Sequence, residues 1–167
     1  GADFGSIEIW SNQAGIFGDS GQVLGFGWTA AIALGDLDQD GDLDIVAGMR
    51  GESLDRLYLN DGAGGFAGSG LELPVAGRSL TDPAAPPAST TPPRTRDLAL
   101  ADFDEDGDSD LARALDDGAI ELLANDGKGG FAAAGILRPA AQASGAEAIA
   151  AGLTLGDVDL DGKLDIV

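Results

Sequence analysis

The chain has no cysteine and no histidine. Without cysteine there is no disulfide framework and no thiolate metal site, and without either residue a zinc centre of the usual kind is excluded. The lack of histidine also removes the commonest general base. Lysine is confined to Lys128 and Lys163, and nine basic residues stand against 29 acidic ones, a formal net charge of -20. Such a surface repels nucleic acid and anionic membranes at long range, which leaves cations as the natural partners. No apolar run approaches the ~20 residues that span a bilayer, and the opening GADFGSIEIW has neither the basic n-region nor the apolar core of a signal peptide.

What is present is enough for a folded domain. The 167 residues are 44% hydrophobic, so a core is affordable and a disordered acidic tail is excluded. The charge is also placed with a pattern. DLDQDGDLD at 36 to 44, DFDEDGDSD at 102 to 110 and DVDLDGKLD at 157 to 165 are three copies of one element, with starts 66 and then 55 residues apart. Life in high salt accounts for the charge but not for this placement. A second element recurs as IEIWSNQAGIF (7 to 17), LYLNDGAGGF (57 to 66) and IELLANDGKGGF (120 to 131). It follows the first at a nearly fixed distance, 16 residues from Asp44 to Asn60 and 15 from Asp110 to Asn125, so both belong to one structural unit.

The local signals are those of strands and turns. LALADF and LTLGDV lead into the Asp-rich elements, and LDIVAG and LYL are short β-forming runs, so four short strands per unit are expected. Asn-Asp-Gly followed by Gly-Gly suits a tight hairpin with positive φ, and Phe66 or Phe131 then starts the last strand pointing inward. Between units lies SLTDPAAPPASTTPPRTR, Ser79 to Arg96, too rich in proline to join a sheet. A plain solvated loop and a carrier of O-linked sugars both fit its Ser and Thr.

The Asp-rich elements have the spacing of calcium loops. Ca²⁺ takes six to eight oxygens at roughly 2.3–2.6 Å, and carboxylates at alternate positions of a tight loop converge on one point. In the first loop Asp36, Asp38 and Asp40 supply positions one, three and five, Gly41 permits the sharp turn, the Asp42 carbonyl adds an oxygen, and Asp44 closes the shell. The second loop offers Asp102, Asp104, Asp106, the carbonyl of Asp108, and Asp110. The third offers Asp157, Asp159, Asp161, the carbonyl of Lys163, and Asp165. A lysine is harmless at position seven because only its backbone is used. These loops hold 15 of the 29 acidic residues, and without metal each cluster repels itself. An EF-hand is excluded: it needs Glu at position twelve and flanking helices, whereas these positions hold Ala47 and Arg113 and the loops run into LDIVAG and DLARA.

The order DxDxDGxxD, short strand, NDGxGGF resembles the FG-GAP and VCBS repeat families, over nearly the whole chain apart from the proline-rich insertion. The FG-GAP tripeptide is not well formed, so the VCBS-like branch is the closer likeness. The resemblance implies an all-β fold, an integrin-α-like β-propeller with a Ca²⁺ loop between the first two strands of each four-stranded blade. The family ligands then fall on the twelve Asp at positions one, three, five and nine. About three blades are expected in a single propeller segment. Residues 1–30 are the end of a split blade and a connection, 31–76 a blade, 77–96 the Pro/Thr-rich insertion, 97–137 a blade, 138–152 a connection, and 153–167 the start of a blade. The N-terminal strands match strands three and four of that last blade. Rings usually need about four to eight blades, so either a longer polypeptide completes the ring, or chains exchange the split blade and close as a six-bladed dimer or continue as an open array.

For function the expectation is a calcium-stabilised secreted or cell-surface module for adhesion or scaffolding that recognises a protein or glycan. The extracellular setting follows from the millimolar Ca²⁺ that weaker sites need. One alternative is a calcium-dependent fibre built by blade exchange. Another is a polysaccharide-acting enzyme or its accessory domain, drawing on Glu72, Glu121 and Glu147 as carboxylates and on Trp10 and Trp28 to stack on sugar. No acid, base and nucleophile set can be assembled from these, so no catalytic residue is expected. Trp10 lies on a strand and Trp28 just before one, which favours core packing for both.

Overall fold

The computed structural model describes residues 5–25, 27–51, 53–66, 70–74, 94–137 and 152–167. Most of the insertion, the 138–152 connection up to residue 151, and Glu147 lie outside the described residues. Among the described residues every regular element is a strand. In chain order these are β1 (Ile7–Gln13), β2 (Ile16–Leu24), β3 (Trp28–Gly35), β4 (Asp44–Arg50), β5 (Arg56–Tyr58), β6 (Leu71–Glu72), β7 (Thr95–Ala101), β8 (Asp110–Leu115), β9 (Ile120–Asn125), β10 (Phe131–Leu137), β11 (Leu155–Gly156) and β12 (Asp165–Ile166).

They form four antiparallel sheets. Strands β3-β4-β5-β6 make one four-stranded meander and β7-β8-β9-β10 a second, while β1-β2 and β11-β12 are separate two-stranded pairs. The meander follows from short β-forming runs separated by Asp, Asn and Gly, which leave each strand no choice but its sequence neighbour. The Asp loops span the first turn of each unit: Gly35 pairs with Asp44, Ala101 with Asp110 and Gly156 with Asp165. In each case the residue before position one faces position nine, so all three loops cap a strand pair in the same register.

Two cores flank β4, which is why its residues 44–49 are buried without alternation. Ile45, Ala47 and Met49 face one side and join Ile7, Leu24 and Tyr58, so the β1-β2 pair packs there. Val46 faces the other side, with Leu37, Leu57, Leu73, Leu98, Leu111 and Leu123, a core shared by the two four-stranded sheets. Close approach of those sheets depends on Gly48, where a Cβ would lie 2.5 Å from Cγ2 of Thr95. Phe131 starts β10 and packs on the shared core, while Phe66 packs on the Tyr58 cluster and bridges Asn60 ahead of β6.

A buried ionic cluster crosses the same interface. Arg113 is 1% exposed; its Nε donates to Oε2 of Glu121 at 2.7 Å, Nη1 to Oδ2 of Asp55 at 2.9 Å and Nη2 to the Pro74 carbonyl at 2.8 Å. Asp55 Oδ2 also accepts from the Thr95 hydroxyl at 2.7 Å, and its Oδ1 from the Met49 N–H at 2.7 Å. Every charge is paired and hydrogen-bonded, the condition on which buried ions persist.

The two tryptophans depart from expectation. Trp10 is 55% and Trp28 57% exposed, so neither is a core residue. Trp10 lies on β1, which among the described residues pairs with β2 alone, and Trp28 opens β3 at the end of its strand pair.

Candidate metal centres

The three Asp loops share one backbone conformation. Position four is left-handed in each although none is glycine: Gln39 at φ 60°, Glu105 at 63° and Leu160 at 64°. Position six follows at φ 93°, 98° and 89° in Gly41, Gly107 and Gly162, where a side chain is disfavoured and glycine is required. The carboxylates stabilise this turn. Position one accepts the N–H of the glycine, Gly41 to Asp36 at 3.1 Å, Gly107 to Asp102 at 3.0 Å and Gly162 to Asp157 at 3.0 Å. Position five accepts the N–H of position seven, Asp42 to Asp40 at 3.0 Å, Asp108 to Asp106 at 3.0 Å and Lys163 to Asp161 at 2.8 Å.

Position nine ties the loop to the rest of its sheet. Oδ2 of Asp44, Asp110 and Asp165 accepts the N–H of position two, from Leu37, Phe103 and Val158, each at 2.8 Å. The other oxygen accepts from the hairpin asparagine: Asn60 N–H to Asp44 Oδ1 at 2.8 Å and Asn125 N–H to Asp110 Oδ1 at 2.9 Å. This bond is the physical reason for the near-constant spacing of Asp and Asn along the chain.

Three carboxylates converge in each loop, with ligand oxygens within 4.8 Å of one another: Asp36, Asp38 and Asp40 in the first, Asp102, Asp104 and Asp110 in the second, Asp157, Asp159 and Asp165 in the third. Of the four positions expected to ligate, position five completes the first group and position nine the other two. At position seven, the Asp42 and Asp108 side chains lie against hairpin glycines Gly62 and Gly127. Lys163 lines a cavity together with Asp104 and Glu105.

The donor set fits a hard cation. Oδ1 of Asp36 and Oδ1 of Asp38 are buried and have no hydrogen-bond partner among the described residues, an arrangement that costs free energy unless a cation satisfies them. Desolvation, reinforced by the charges of Asp44 and Asp40, raises the Asp38 pKa above its ordinary value. Desolvation and the charges of Asp110 and Asp106 raise that of Asp104, and desolvation with the charges of Asp106 and Asp102 raises that of Asp108. Carboxylates that resist ionising beside one another are stabilised by a divalent ion among them. Oxygen-only ligands suit Ca²⁺ or Mg²⁺ rather than a thiophilic metal.

Among the described residues, the two carboxylates expected outside the loops, Glu72 and Glu121, lie in separate ion pairs. Glu121 is buried in the Arg113 cluster and Glu72 pairs with Arg56 at 3.3 Å on the surface. Sequence reasoning missed the cross-sheet contacts around the first loop. The Leu37 carbonyl accepts both the Asn125 side-chain amide and the Gly129 N–H, each at 2.9 Å, and Gln39 donates its amide to Asp108. The one available signal was the asparagine, invariant at the hairpin start in all three copies.

Residues 102–167 match the model of a family described as the FG-GAP-like repeat. That stretch covers the second Asp loop, its hairpin and the third Asp loop. No curated protein matches the chain. Among the described residues no helix is long and apolar enough to cross a membrane, a statement that does not bear on β-barrels.

Proposed function

We propose that this chain, which carries an FG-GAP-like repeat over residues 102–167, is a calcium-stabilised extracellular β-propeller segment that serves as a binding, adhesion or scaffold module. Each four-stranded meander is then one blade, and one Ca²⁺ sits in the loop between its first two strands. The observation that carries this reading is the pair of buried, unpartnered carboxylate oxygens on Asp36 and Asp38, in a loop conformation present three times. The ions are structural, because loops capping strand pairs and filled by protein oxygens leave little room for a substrate. Their work is to hold the blade ends rigid, so that surface loops present a fixed face to a protein or glycan.

Binding is favoured over catalysis because Glu121 is committed to Arg113 and Glu72 to Arg56, so these carboxylates do not share a cleft. The test is thermal unfolding of the chain in 2 mM Ca²⁺ and in excess EGTA, since an ion that binds only the folded state must raise its stability. A rise in melting temperature with Ca²⁺, absent with Mg²⁺ at equal concentration, supports the reading. Equal melting temperatures in Ca²⁺ and EGTA contradict it.

A further inference from the structure

Asp38, at position three of the first loop, has both of its chain neighbours anchored on the other four-stranded sheet. Before it, the Leu37 residue is fixed at both ends. Its N–H donates to Oδ2 of Asp44 at 2.8 Å, and its carbonyl accepts the Asn125 side-chain amide and the Gly129 N–H, each at 2.9 Å. After it, Gln39 donates its side-chain amide to Oδ1 of Asp108. Asn125, Gly129 and Asp108 all belong to the β7-β8-β9-β10 meander, while Asp38 belongs to the loop between β3 and β4. Asp38 itself keeps Oδ1 buried with no hydrogen-bond partner among the described residues. The second meander thus fixes the backbone that carries this carboxylate without consuming the carboxylate.

The anchoring residues are also part of the second loop's own frame. The Asn125 N–H donates to Oδ1 of Asp110 at 2.9 Å, and its side-chain amide also reaches the Ser109 carbonyl at 3.1 Å. Asp110 is one of the three carboxylates that converge there, with Asp102 and Asp104. Asp108 donates its N–H to Oδ1 of Asp106 at 3.0 Å. Two short routes therefore join the loops, from Asp110 through Asn125 to Leu37, and from Asp108 to Gln39. The hairpin has a close-fitting seat: Gly129 lies at φ 75°, where a Cβ would come 3.3 Å from Cδ2 of Leu59 and 3.4 Å from Cδ2 of Leu57. Leu37 is fully buried in the core shared with Leu57, Leu111 and Leu123. Packed contacts of this kind switch between discrete arrangements and do not deform continuously.

We propose that the first two Asp loops take up Ca²⁺ cooperatively, with Asn125 and Gln39 as the positioning residues that carry the coupling. The inference rests on the reading of these loops as calcium sites and adds that they do not fill independently. Ordering the second loop around Asp110 favours the docked hairpin, which holds Leu37 and Gln39, and Asp38 between them, in place. The first loop then has less conformational entropy to lose on closing, and linkage requires the same factor in the opposite direction. Charge alone gives the opposite sign, because divalent ions in neighbouring loops repel each other.

The test follows the backbone amide signals of Gly41 and Gly107 in nitrogen-15 NMR spectra of the full chain during titration with Ca²⁺. Each reports on its own loop, since each N–H donates to its own position-one carboxylate. Asp104→Ala, which disables the second loop, is expected to raise the Ca²⁺ concentration at the Gly41 midpoint, and Asp38→Ala to raise that at the Gly107 midpoint. A common fit should return one coupling factor of about five-fold or more for both directions. Relative to the loaded loop, the Asp104→Ala loop loses one negative charge with the carboxylate and two positive ones with the ion. It is more negative, so electrostatics alone would lower the Gly41 midpoint.

Asn125→Ala keeps the backbone bond to Asp110 and loses the Leu37 contact, and the coupling factor is expected to fall to near one. Gln39→Ala removes only the contact to Asp108 from an exposed position that does not touch the core; it is expected to fold and to lower the factor, and it decides the matter if Asn125→Ala does not fold. A Gly41 midpoint unmoved or lowered by Asp104→Ala overturns the proposal, as does a coupling factor unchanged in Gln39→Ala. Independent midpoints in the unsubstituted chain remove the coupling alone. No response of either glycine to Ca²⁺ removes the calcium reading and the coupling with it.

Discussion

The N–H of Asn125 lies 2.9 Å from Oδ1 of Asp110, fifteen residues earlier, and the N–H of Asn60 stands 2.8 Å from Oδ1 of Asp44, sixteen earlier. Position nine of the loop is therefore a scaffold group as well as a candidate ligand: its two oxygens accept two backbone N–H groups before any metal is considered. Positions three and nine should separate in experiment. Asp110→Asn places an NH₂ against a donor and is expected to lower the melting temperature in EGTA and in Ca²⁺ alike. Asp104→Asn, which removes one of several mutually repelling carboxylates, is expected to lower it only in Ca²⁺. Melting curves of both variants under both conditions check this, and an equal loss for Asp104→Asn in EGTA speaks against a ligand role.

Arg113 carries a second prediction. Its guanidinium links Glu121 of its own sheet to Asp55 of the neighbouring one with all three groups buried. Arg113→Met leaves two buried carboxylates without their cation, a loss expected to cost about 3–5 kcal/mol in chemical unfolding. The loss should be independent of Ca²⁺. A cost that vanishes in Ca²⁺ would place Arg113 in the metal loops instead of the sheet interface.

Protonation should distinguish hairpin from loop. Asp61 accepts the N–H groups of Gly65 and Ala63, which lowers its pKa below the ordinary 3.8. A depressed folded pKa contributes stability that is present above the unfolded value and lost as pH falls through the folded one. Asp38, Asp104 and Asp108 shift the opposite way from the same 3.8. Their contribution to the metal-free fold is therefore present at low pH and lost as pH rises from the unfolded value through the folded one. Carboxyl NMR titration of the Ca²⁺-free chain is expected to put Asp61 below 3.8 and these three above it. A common midpoint for all four contradicts the geometry.

Much of this was legible in the sequence because it is local. Alternate Asp, an obligatory Gly at position six and short β-forming runs specify a loop between two strands without help from distant residues, and four strands per unit follow from the turns. The Asp-to-Asn spacing exposed a contact whose chemistry only coordinates reveal. What stayed hidden is long-range. Arg113 read as the residue that excludes an EF-hand, and its partner Asp55 is 58 positions away. Glu121 read as a carboxylate open to chemistry, and burial beside Arg113 changed its role. Trp10 read as core from its place on a strand. That reading assumed a second neighbouring strand, and among the described residues β1 pairs with β2 alone.

The central claim is that three Asp loops each hold one calcium ion, and isothermal titration of the metal-free chain with Ca²⁺ at neutral pH tests it most directly. The account predicts a stoichiometry near three, falling by one when Asp38, Asp104 or Asp159 alone is replaced by Ala. Uptake of no ions, or a stoichiometry unchanged in all three variants, would contradict it.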